Sequence, residues 1–155
     1  MQLGQQVVNN LLGLGGVGSN LPSLIIPEGN SQGYFSIHGA NTPTAGRFQQ
    51  FVKNGVAYQV TAGKTFRSVA VISCVAGAGA LFQLASGTAA VGDDAAALTG
   101  GVYQMGSSGK YGHHSTTSNV PQIYSYLYDF AAATYPCFQA GSNLAYWVCL
   151  IGKEI

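Results

Sequence analysis

The feature that most restricts the fold of this chain is a turn-and-strand unit that occurs twice. Tyr58–Val60 is a short extended piece that meets the turn Thr61-Ala62-Gly63-Lys64, after which a β-branched run begins at Thr65 and continues to Ser73. The pattern returns from Phe138 to Gly152, setting Phe138 against Val60, Ala140 against Ala62, Gly141 against Gly63, Leu144 against Phe66 and Trp147 against Val69. Two copies of a turn feeding a core strand predict one β-sandwich. Gly63 and Gly141 are then structural turn residues in equivalent positions, at least one with φ > 0. The 22 glycines suit tight turns and oppose helices.

The punctuation between these units is that of an all-β domain. Tyr34–His38, Arg47–Val52, Ala57–Val60 and Thr65–Ala76 read as strands separated by short turns, the second closed by Asn54-Gly55. Val69–Ala85 is apolar enough to register as a membrane span, yet at about 17 residues it is at the short limit for one. It also contains Gly77, Gly79 and Gln83, so we read it as a two-strand hairpin, Val69–Ala76 and Ala80–Ala85. Residues 86–120 form a low-complexity insert rich in Ala, Gly, Ser and Thr, with one short strand at Val102–Met105. Such an insert lies on the surface and is where a scaffold often binds. In Ile123–Phe130 the period-2 alternation places Tyr124, Tyr126, Tyr128 and Phe130 on one face. In the closing strand Tyr146, Val148 and Leu150 alternate with Trp147, Cys149 and Ile151, so both faces are apolar and both require cover, one by the opposing sheet and the other by an arm or a second subunit. Roughly eight strands with Gly-rich turns predict a jelly-roll-like antiparallel β-sandwich over residues 33–155.

Residues 1–32 differ. They hold Leu11, Leu12, Leu14, Leu24, Ile25 and Ile26, but Gly13, Gly15, Gly16, Pro22 and Pro27 break any long helix, and the segment reads as an extended N-terminal arm. Gly13, Gly15 and Gly18 match G-x-G-x-x-G, the dinucleotide fingerprint. The context fails: no strand precedes it, prolines interrupt the helix that should follow, and no acidic residue stands about 20 positions on. The first ten residues have no basic start and no unbroken apolar run, so they are not read as a secretory signal, and synthesis in a cytoplasm follows.

Only 7% of the chain is charged, against about 25% in an ordinary soluble domain. With so few charges to wet a whole surface, part of that surface is expected to be covered by partners, first of all by copies of the chain in a dimer or trimer. The net charge of +1 without a basic run removes the footprint of a nucleic-acid binder. Cys74, Cys137 and Cys149 lie in or beside apolar runs and read as buried free thiols, with a Cys137–Cys149 bridge as the rival.

No catalytic constellation stands out, and neither a cofactor nor a metal is expected. His113 and His114 sit in a Gly/Ser-rich stretch with no acidic residue beside them, which reads as a solvated loop. Asp93-Asp94 reads as a turn rather than half a calcium site. No serine has a nucleophile-elbow context. The candidate interaction residues are the arm's apolar side chains and an aromatic face of Tyr124, Tyr126, Tyr128 and Trp147, either packed at an interface or presented to sugar rings.

An apolar arm followed by a charge-poor, Gly/Ala-rich sandwich with an aromatic-x-x-x-Ala-Gly-Lys turn (Tyr58–Lys64) resembles the small virion proteins of tailed bacteriophages, especially head decoration or cement proteins. The resemblance implies a non-enzymatic subunit, made in the host cytoplasm and placed on the capsid surface. There it would bridge subunits of a major capsid protein, with no direct contact to nucleic acid or membrane. The alternative is a receptor- or carbohydrate-binding module of a phage tail or another surface structure.

Overall fold

The computed structural model describes residues 32–104 and 112–155. The arm, with Leu11, Leu12, Leu14, Leu24, Ile25 and Ile26, the Gly13/Gly15/Gly18 fingerprint and Met105 lie outside the described residues. Among these residues twelve strands run in chain order: β1 (Phe35–Asn41), β2 (Phe48–Gln50), β3 (Val52–Lys53), β4 (Val56–Ala57), β5 (Phe66–Val75) and β6 (Leu81–Gly87) in the first half. The second half adds β7 (Val102–Tyr103), β8 (His113–His114), β9 (Gln122–Tyr124), β10 (Tyr128–Phe130), β11 (Tyr135–Ala140) and β12 (Tyr146–Glu154).

They form two antiparallel sheets. Sheet A has the order β10-β5-β12-β1-β3-β4 with β9 also on β5, and sheet B the order β2-β11-β6-β7 with β8 also on β6. Removing the β3–β4 hairpin leaves β10-β5-β12-β1 facing β2-β11-β6-β7, with the chain passing between sheets as a jelly roll does. The predicted fold class is therefore the observed one. The repeated units meet at its centre: their long strands, β5 and β12, pair antiparallel from Tyr146↔Val75 to Glu154↔Phe66.

Between the sheets lies the main core, including Ile37, Phe51, Phe66, Phe82, Leu84, Phe130, Phe138, Val148 and Leu150. Each large apolar side chain buried here contributes about 1.5–3 kcal/mol. The 69–85 hairpin is corrected: its strands form, but β5 belongs to sheet A and β6 to sheet B. The backbone between them bonds elsewhere, Ala76 N to Ala145 O at 2.9 Å and Gly79 N to Ser115 O at 2.7 Å, so the connection arches across the core.

The insert does not simply hang from the surface. Phe48 and Ala95 exchange two backbone hydrogen bonds of 2.9 Å, and Gln50 N donates to Gly92 O at 3.1 Å, so its first part runs along the outer edge of β2. Val91, Ala95, Leu98 and Tyr103 pack onto Phe48, Ala85 and Cys137 on the outer face of sheet B. The Asp94 carboxylate accepts from Thr44 N at 2.7 Å and Thr44 Oγ1 at 3.2 Å, and that of Asp93 accepts from Gln49 Nε2. The acidic pair thus anchors the insert, a role for which a turn was the sequence reading.

Gly63 and Gly141 are required for different reasons. Gly63 has φ +77° with open space around it, inside a turn closed by Lys64 N to Thr61 O at 3.0 Å; its φ > 0 suits a type II turn. Gly141 is not in the left-handed region, and a Cβ there would sit 2.7 Å from Leu81 O, so close approach excludes a side chain. The two positions are not equivalent turns. Gly63→Val is expected to destabilise by about 1–3 kcal/mol through backbone strain alone, read as a lower urea midpoint with an unchanged slope; a neutral result would show that the turn relaxes freely.

Candidate functional site at the facing sheet edges

At one end of the sandwich the edge of sheet B, β8 on β6, faces the edge of sheet A, β9 and β10 on β5. A two-residue strand sends successive side chains to opposite sides. His113, opposite Phe82, is therefore fully buried while His114 is exposed. This corrects the solvated-loop reading: pairing with β6 turns one of the two histidines inward.

His113 stacks on Phe82 with ring centroids 4.7 Å apart. Three tyrosines close around its other sides, Tyr124 at 4.8 Å, Tyr128 at 5.6 Å and Tyr126 at 6.1 Å. Tyr128 Oη lies 3.2 Å from His113 Nε2, and Tyr124 Oη donates to His114 O at 2.7 Å. Gln104 Nε2 adds a bond to Asp129 O at 3.2 Å, latching the same two edges.

The tyrosines do not lie on one continuous strand. Tyr124 pairs with Val71 and Tyr128 with Ser68, so Ser125-Tyr126-Leu127 must span the two residues Val69 and Ala70. One residue is surplus, as in a β-bulge, and the chain bows outward. Tyr126 is left 57% exposed and Leu127 70%, while Tyr124 and Tyr128 reach back to the main core. Val69 is also the surplus residue opposite β12, where the register shifts between Ile151 and Gly152.

Trp147 is not part of this cluster. It points away from the main core, onto the outer face of sheet A with Ala70, Ile72, Cys149 and Ile151. The alternation that sends Tyr146 and Val148 inward sends Trp147 outward. The aromatic face thus divides into three tyrosines gathered by His113 and a tryptophan on the other side of the sheet.

His113 is uncharged at neutral pH. Burial lowers the pKa of His113 to about 4, and burial is also the first cause raising those of Tyr124 and Tyr128. Among the described residues His113 Nδ1 finds no hydrogen-bond partner. The arrangement suits ring packing and hydroxyl contacts, with Tyr126 and Leu127 as its outward tip. The cysteines are free thiols; Cys137 and Cys149 lie in separate clusters, and burial pushes both up to about 12, so each stays protonated.

Among the described residues no three His, Cys, Asp or Glu side chains come together as a metal shell. Treatment with EDTA is expected to leave the melting temperature unchanged; a drop of several degrees would reveal a metal. Sequence reasoning missed His113 as the centre of the cluster, and the signal it left was the alternation of two adjacent histidines at the end of a Gly/Ser-rich stretch. No protein-family model, no curated protein and no solved structure matches this chain.

Proposed function

We propose that this chain is a structural subunit of a virion, a decoration or cement protein that acts as a homo-oligomer and stabilises a head by bridging coat subunits. The observation that carries the reading is where the apolar side chains lie. Val56, Val102, Val120, Tyr126 and Leu127 are exposed on a chain with 7% charged residues. Surfaces of that kind associate through buried apolar area. The jelly roll is compatible with this role, although the fold alone assigns none.

A sugar-binding platform needs several flat rings open to solvent. Of Tyr124, Tyr126, Tyr128, Tyr135 and Trp147, Tyr126 alone is exposed, and Trp147 is 7% exposed. This weighs towards assembly. In sedimentation velocity at micromolar concentration we expect a closed dimer or trimer, and from its native source we expect the protein to co-purify with coat subunits. A monodisperse monomer, or glycan binding lost on Tyr126→Ala, would instead favour the receptor- or carbohydrate-binding reading.

A further inference from the structure

At the edge of sheet A the strands β3 and β4 are joined by Asn54 and Gly55 alone, since Lys53 pairs with Val56. Both joining residues have φ > 0, 52° at Asn54 and 77° at Gly55, as a type I′ hairpin turn requires. Both are exposed, and a Cβ built on Gly55 would meet nothing within 4 Å. The hairpin is anchored over a short length. Its strands are two residues each, β3 pairs with β1 at the single position His38↔Val52, and Tyr58 N donates to Phe51 O at 2.9 Å where the hairpin joins the core. Short edge elements of this kind open locally at low free-energy cost. Asn54-Gly55 is also the only Asn-Gly pair in the chain.

We infer that this turn is a self-modification site, at which the chain converts Asn54 to aspartate and isoaspartate through a cyclic imide. When the hairpin opens, the Gly55 backbone nitrogen attacks Asn54 Cγ. The N–Cγ bond forms, the Cγ–Nδ2 bond breaks, and Nδ2 leaves as ammonia with the proton that Gly55 N gives up. Water then opens the ring. Cleavage at Cγ yields aspartate and cleavage at the Asn54 main-chain carbonyl yields isoaspartate, and nothing is oxidised or reduced. Glycine leaves its nitrogen open to this approach because it has no Cβ. The other described asparagines precede Thr42, Val120 and Leu144, whose side chains crowd the nitrogen that would attack. Two of them are also held: Thr42 N itself donates to Asn41 Oδ1 at 2.8 Å, and Asn143 Oδ1 accepts from Ala45 N at 2.6 Å. Either product places a negative charge beside Lys53 on a chain whose net charge is +1. Isoaspartate also adds a carbon to the backbone, which a two-residue turn cannot accommodate, so β4 and the exposed Val56 lose their register with β3. The chemistry needs no partner and stands apart from the proposed virion role.

Peptide mapping of the full, unaltered chain incubated at neutral pH tests this, with β-sheet circular dichroism showing that it stays folded. We expect aspartate and isoaspartate to accumulate at position 54 ahead of any conversion of Asn41, Asn119 or Asn143. A protease that cuts before aspartate but not before isoaspartate separates the two products. A parallel incubation in urea gives the rate for the unfolded chain. Asn54 that converts in urea yet stays intact in the folded chain would overturn the inference, because the closed turn then protects it. An Asn54 inert in both, or overtaken by Asn41, Asn119 or Asn143 in the folded chain, would overturn it equally. The effect on the hairpin is read on the isoaspartyl form, purified by chromatography. Hydrogen exchange at Tyr58 N is expected to quicken there while the amides of β5 and β12 stay protected; unchanged exchange at Tyr58 N would refute the loss of register.

Discussion

Phe66→Ala is expected to lower the unfolding free energy by about 3–5 kcal/mol, as truncation of a fully buried phenylalanine does. Phe66 is 0% exposed and opens β5, where its ring centroid lies 5.2 Å from that of Phe35, 5.4 Å from Tyr58 and 6.1 Å from Phe130. Neighbouring backbone is fitted to it: a Cβ on Gly152 would come within 2.7 Å of Phe66 Cζ and 2.3 Å of Arg67 O. Because strands β1, β5, β10 and β12 converge there, little collapse can fill the cavity. A domain of ordinary stability has about 5–15 kcal/mol in total, so the variant should sit near its threshold. Urea denaturation followed by circular dichroism measures the loss, and a change below about 1 kcal/mol would mean the site collapses onto the cavity.

Acid should destabilise the fold through His113 before the carboxylates begin to protonate. The ordinary histidine pKa is 6.5 and burial lowers that of His113 to about 4 in the folded chain. The unfolded chain therefore binds a proton first, and stability falls as pH drops from about 6.5 towards 4. At 1.36 kcal/mol per pH unit the loss approaches about 3 kcal/mol. Above pH 6.5 the contribution is fully present. Glu154, whose pKa is lowered by hydrogen bonds from Thr61 and Tyr58 against the opposing effect of burial, and Asp129, lowered first by its bond from Arg67, lose stability only further into acid. His113→Gln, able to keep a hydrogen bond with Tyr128, should reduce the slope of the stability curve between pH 6.5 and 4, leaving the contribution of His38, whose pKa burial also lowers. An equally steep curve in the variant would place the proton uptake on another group.

How far the molecule was legible in its sequence follows from where information is local. Period-2 alternation located β5 and β12, and the β-branched and aromatic content of these runs outweighed the glycines around them. Sheet membership was not legible: the turn between Ala76 and Leu81 looks like a hairpin because its residues are small, and only the distant partners Ala145 and Ser115 make it an arch. The bowed segment Ser125–Leu127 keeps a perfect alternation in sequence, and its surplus residue exists only relative to Val69 and Ala70. His113 was hidden in the same way, its burial created by Phe82 on one side and three tyrosines from another sheet on the other. Of the candidate aromatic face, Tyr124, Tyr126 and Tyr128 gather around His113 without sharing one continuous strand, while Trp147 was added on residue type alone and lies on the outer face of sheet A.

The hydrogen bonds between the insert and β2 bear on how copies of this chain can be crowded without polymerising. A free strand edge is a template on which another chain can add a strand of its own, and repeated addition grows fibres. Here Ala95 and Gly92 already occupy the outer edge of β2, and among the described residues β4, β7, β8, β9 and β10, which pair on one side, are three residues or shorter. Copies of this chain held at high local density therefore have their side chains and loops to meet through, and contacts of that kind can close into a finite ring or lattice instead of propagating as amyloid.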